Sequence, residues 1–124
     1  MPWQIKPHPE LSVVETVYEG DLTARELAAA VAESVRVARG RGWKRLLSDC
    51  TRLEGGHGFG DLYQLAADLQ GDAFVRSLRE AVLAVPGSPG WANASFYETT
   101  CFNRGLLVRV FAGREPALEW LRQS

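Results

Sequence analysis

Residues 46–65 read LLSDCTRLEGGHGFGDLYQL, passing from an apolar strand signal through a glycine-dense loop into an amphipathic helix. Leu62, Leu65, Ala66 and Leu69 fall on one face of that helix. Asp61 is expected to cap its N-terminus, with Gln64 as the reciprocal partner. A strand that runs straight into a helix is the first half of a strand–helix–strand unit, whose second strand must lie parallel to the first.

The same rhythm extends in both directions. Upstream, DLTARELAAAVAESVRVARGRG carries a complete helix-start signature: Thr23 caps, Glu26 closes a capping box, and Leu22 with Leu27 forms a hydrophobic staple. Leu27, Val31 and Val35 mark its buried stripe, and Gly40 or Gly42 ends it. Before it, Trp3 to Lys6 and Leu11 to Glu19 read as two extended runs bent at Pro7-His8-Pro9, a hairpin or edge pairing because proline lacks the backbone donor. Downstream, EAVLAVP is a continuous apolar strand stopped by GSPG, WANASFYETTCFNRG a helix closed by Gly105, LLVRVFA a strand and REPALEWLRQS a last helix with Pro116 in its first turn. The expected fold is one α/β domain over residues 1–124: a mixed, mostly parallel sheet of about five strands with an antiparallel N-terminal edge strand and four main helices.

Composition narrows the function classes. The 124 residues are 46% hydrophobic and 23% charged, the makeup of a single soluble domain. A net charge of −1 with scattered Lys and Arg lacks the basic footprint of a nucleic-acid binder. No apolar run approaches the roughly 20 residues of a membrane span, and MPWQIKPHPE has no apolar signal core, so a cytoplasmic protein is expected. Cys50 and Cys101 sit in different elements outside any CxxC spacing, which predicts free thiols; with two distant histidines, neither a metal centre nor another cofactor is expected.

Asp49 at the end of the LLSD strand, the glycine loop before the next helix, EAVLAV, FYETTCFNRG and the ending VRVF…REPALEWL together resemble the STAS/SpoIIAA-like superfamily over nearly the whole chain. The resemblance is strongest to small bacterial STAS/SEC14-domain-type proteins. It implies the fold of anti-sigma-factor antagonists, whose partner kinase phosphorylates a serine in an Asp-Ser-Ser/Thr-Gly segment at the helix start. Here that slot reads GGHGFGD, residues 55–61, and no Ser or Thr occurs between Thr51 and Ser77. The switch therefore does not carry over; Asp49 and the turn glycines do.

Neither phosphate fingerprint fits the loop. A Walker motif needs Lys followed by Ser or Thr where Phe59, Gly60 and Asp61 stand, and Gly56, Gly58 and Gly60 alternate at the wrong spacing for GxGxxG. The leading expectation is a non-enzymatic regulatory or binding domain that engages a protein partner or a small apolar ligand through the strand-end loops and the third main helix. Asp49, Gly56, His57, Gly58, Trp91 and Tyr97 are its candidate contacts, with Trp91 placed to wall a pocket or a homodimer interface. The alternative is a small enzyme using Asp49 and His57, with Cys50 nearby, since His is suited to proton transfer.

Overall fold

The computed structural model describes residues 2–123. Five strands form one sheet in the order β1-β2-β3-β4-β5: β1 (Trp3–His8), β2 (Val13–Asp21), β3 (Arg45–Gly55), β4 (Arg79–Leu83) and β5 (Leu107–Phe111). β1 pairs antiparallel with β2, and all other neighbours are parallel, in agreement with the sequence. The hairpin turn follows the expected bend by a few residues, because Pro7 sits on the edge strand opposite Val14 and His8 opposite Val13.

Strand order equals chain order, so every crossover moves in the same direction across the sheet. Right-handed connections then place all their helices on one face. α1 (Ala24–Arg41), α2 (Phe59–Leu69), the single turn α3 (Ala73–Arg76) and α4 (Pro89–Phe102) pack there, over Val14, Tyr18, Leu46, Val82 and Val108. α5 (Arg114–Arg122) returns to cover the opposite face, where Ala117, Leu118 and Leu121 meet Val13, Leu47, Ala81 and Leu83. The short α3, absent from the expected set of four, starts at Asp72, whose carboxylate accepts from the amides of Phe74 and Val75 at 2.9 and 3.3 Å.

The α1 start is as read: Thr23 Oγ1 accepts from the Glu26 amide and Glu26 accepts from the Thr23 amide, while Gly42, at φ 69°, closes the helix. The α2 start differs. Gly58 is the N-cap and Asp61 lies three residues inside, its carboxylate accepting from the Gly58 amide at 2.9 Å. Gly58 has no side chain to cap with, so the reach-back half of a capping box is what holds this end. Gln64, expected as the reciprocal cap, donates to Asp68 instead.

Under α5 lies a buried ion pair. Glu15, 3% exposed, accepts two bonds from the Arg114 guanidinium at 2.9 and 2.8 Å and a third from His8 Nε2 at 2.8 Å. The Arg114 hydrogen bonds hold its carboxyl below the usual range against the opposing effect of burial, and His8 adds to them. A carboxylate depressed in this way adds stability above its unfolded pKa and loses it as pH falls through the folded value. Arg114→Ala should cost about 2 kcal/mol at neutral pH, less than a fully buried pair because Arg114 is half exposed. It should also move the acid-unfolding midpoint to higher pH. Denaturant titrations across a pH series check both; an unchanged midpoint would refute the role of the pair.

Candidate functional site

A sheet whose crossovers all lie on one face has no point where successive connections diverge, and so no crevice of the kind that binds ligands in doubly wound folds. The open space lies instead between the sheet and its three-helix face. Alternation along β3 sends Leu46, Ser48 and Cys50 toward that face and Leu47 and Asp49 toward α5. The register with β2 shifts twice along the far end of β3, between Val17 and Glu19 and between Gly20 and Asp21, and Leu53 joins Cys50 on the helix side.

The result is a cavity of about 60 Å³, walled by Leu27 and Val31 of α1, Leu62 and Leu65 of α2, Ala94 and Tyr97 of α4, and Tyr18, Cys50 and Val82 of the sheet. Its polar groups are few. Ser48 Oγ donates to Glu80 Oε2 at 2.7 Å, and the Tyr18 hydroxyl lies near Ser48 and Ser34. His57, Asn93 and the exposed Glu54 stand at the same pocket. Burial raises the carboxyl of Glu80, against the Ser48 hydrogen bond, and raises the phenols of Tyr18 and Tyr97 well above their ordinary value. The same cause pushes the Cys101 thiol up to about 12 and the Cys50 thiol higher still. Both cysteines are free, and both thiols stay protonated and weakly nucleophilic at neutral pH.

The residues singled out in the sequence separate into three places. His57 and Tyr97 line the cavity. Asp49 does not: it faces the other side of the sheet and accepts from the amide and hydroxyl of Thr51 at 3.0 and 2.7 Å. His57 Nδ1 is 2.9 Å from the Leu22 carbonyl, which can only accept, so Nδ1 carries the proton. Asp49 and His57 are therefore not paired, and the alternative enzymatic constellation is not assembled. Trp91 is half-buried in the core at the α4 start, where its amide donates to Ser88 Oγ, and Gly90, Asn93 and Ala94 take the cavity-lining places expected of it. Phe96 stacks on Phe59 with ring centroids 4.6 Å apart, while Phe102 is 73% exposed.

The glycine loop is a packed turn. Leu22 N donates to Gly55 O at 3.0 Å, and Gly56, at φ 94°, lies so close to the chain where β2 enters α1 that a Cβ there would stand 2.4 Å from the Leu22 carbonyl oxygen. Gly58 has open space around it.

Glu80, Ser48 and Tyr18 were missed in the sequence. Their signal was present: in EAVLAV, Glu80 shares the period-two face of Val82 and Ala84, an acid on a core-facing row.

Two solved structures resemble this arrangement over its whole length. An uncharacterized protein of the DUF3478 family from Shewanella loihica PV-4, with a SpoIIAA-like fold, aligns with TM-score 0.61 and 18% identity, covering 96% of this chain and 93% of its own. The anti-sigma factor antagonist SpoIIAA in its unphosphorylated form aligns with TM-score 0.56 and 14% identity, over 98% and 99%. The fold is SpoIIAA-like. No protein-family model and no curated protein matches the chain. Within this SpoIIAA-like frame the loop after β3 is pinned by backbone contact. Gly56→Ala should destabilise by at least about 2 kcal/mol, through strain at positive φ and the clash with Leu22. Gly58→Ala should cost less than about 1 kcal/mol. Thermal or urea unfolding of the two variants compares them directly, and equal effects would refute the close approach.

Proposed function

We propose that the chain is a non-enzymatic STAS-like binding domain that holds the slim apolar part of a small ligand in the cavity beneath α1, α2 and α4. The observation that carries the reading is the lining: aliphatic and aromatic side chains with a few polar groups, the exposed Glu54 and half-buried His57 among them. An apolar cavity of about 150 Å³ accepts benzene. At about 60 Å³ this one admits a narrower group, with the rest of the ligand extending past the rim. The raised thiols and the separation of Asp49 from His57 speak against catalysis at the same place.

Engagement of a protein partner is a second reading, favoured by a separate observation. Phe102 and Leu107 are exposed beside an open groove of about 330 Å³ along the β5 edge, lined also by Thr99, Arg109 and Trp120. Such a partner would act without the phosphoserine of the antagonists, because the matching slot holds no hydroxyl residue.

Native mass spectrometry of protein purified from its own host should show a retained small molecule. Leu53→Phe or Ala94→Phe, which fill the cavity, should remove that added mass, while Phe102→Ser should keep it. Retention in both folded cavity variants would place binding elsewhere, and loss in Phe102→Ser would favour the β5 edge. Incubation with an antagonist-type kinase and labelled ATP should leave residues 55–61 unlabelled; label on a peptide from this loop would overturn the reading of the missing acceptor.

A further inference from the structure

The geometry points to Glu80 as the recognition group of the cavity: a carboxylic acid that donates a hydrogen bond to an uncharged oxygen acceptor, such as a ketone, ester or amide carbonyl, on a slim apolar ligand. This inference rests on the cavity reading above and names the chemistry that the cavity selects.

Glu80 stands where two spaces meet. With Val31 and Tyr97 it lines both the cavity of about 60 Å³ and a smaller one of about 20 Å³ that continues over Leu46, Leu78 and Val108. Ser48 Oγ holds Oε2 at 2.7 Å, and among the described residues the other oxygen has no protein partner. The residue keeps some accessible surface although protein surrounds it, and the space it borders is the cavity. No buried side-chain polar atom among the described residues lacks a partner, so this oxygen is one that open space reaches, and a ligand entering the cavity would have to meet its hydrogen-bonding capacity.

The surroundings bias the carboxyl toward its neutral form. No Lys or Arg lines the larger cavity. From β2 it is faced by Tyr18, from β3 by Ser48 and Cys50, and from α4 by Tyr97, with Cys101 behind it; α1 presents aliphatic side chains. At the β3 end, His57 has Nδ1 committed to the Leu22 carbonyl, and Glu54 brings a second acid. Burial without a cation favours the neutral acid, in line with the upward direction of its pKa. A neutral acid with one oxygen held by Ser48 has an O–H left to give, and an anionic ligand would meet two carboxyl groups and no compensating charge.

The test uses methyl propyl ketone, n-pentane and n-pentylamine as probes, with dissociation constants from NMR chemical-shift titration of the full chain. Glu80→Gln keeps a donor of similar shape, and Glu80→Leu removes it; unfolding curves establish that each variant is folded. The preference of the parent for the ketone over the alkane should fall about tenfold in Glu80→Leu and stay within about threefold in Glu80→Gln. The donor is the protonated form, so the parent's preference should decline as pH rises through the raised pKa of Glu80, while that of Glu80→Gln stays flat. An unchanged ratio in Glu80→Leu overturns the inference and leaves the cavity reading standing. So does tighter binding of the amine than of the ketone at neutral pH, lost in Glu80→Gln, which would mean an ionised Glu80 receiving a cation. If neither the ketone nor the alkane enters the parent, the cavity reading fails and takes the inference with it.

Discussion

The handedness of three successive crossovers governs this structure. With strand order equal to chain order, right-handed connections leave no choice but to stack α1, α2 and α4 on one side of the sheet. That side must then be shared by three helices of different length, and the opposite side is left to α5 alone. Three helices crossing one twisted sheet do not tile it. The leftover space lies over Ser48, Glu80 and Val82, beneath a stretch of α4 where Gly90, Asn93 and Ala94 are too small to fill it. The cavity is thus a consequence of topology and of residue size in one helix.

The glycine loop answers to the same constraint. β3 ends beside the point where β2 turns into α1, and the chain must pass within contact distance of the Leu22 backbone to begin α2 on the correct face. Gly56 permits that approach. The amide of Gly58, which a bound anion would need at the helix start, already donates to Asp61. A negative side chain at a helix N-terminus satisfies the dipole from within the chain, so the loop works as a joint between two elements.

The sheet, its single antiparallel edge and the main helices were legible in the sequence because each depends on local signals: the Thr23–Glu26 box, the apolar run of β4 and the proline at the α5 start. The cavity lining was legible in part: His57, singled out from its loop, and Tyr97, from helical spacing, both stand on it. Asp49 stands off this lining; strand alternation fixes opposite faces for neighbours without saying which face carries the cavity. Trp91 was read as a pocket wall from its place after GSPG beside the strand ends, and the helix phase puts Gly90 and Ala94 toward the space. The α2 cap was assigned to Asp61 because a glycine N-cap leaves no side-chain trace, and a carboxylate three residues inside gives the same sequence signal as a cap.

Two glutamates, Glu15 buried and Glu80 partly exposed, stand on opposite faces of the sheet. Glu15 has a guanidinium, an imidazole and a carboxyl held below its ordinary range. Glu80 has one serine hydroxyl and a carboxyl raised above it. The desolvation each suffers is of the same kind, so the difference lies in the partners. At Glu15 the chain returns Arg114 from 99 residues away to compensate the charge, which is what a structural acid in a core requires. At Glu80 no cation stands among the residues that line the cavity, and the carboxyl keeps only the Ser48 hydroxyl. A carboxyl beside a cavity with one oxygen free of protein partners is the feature on which the proposed recognition of an uncharged acceptor rests.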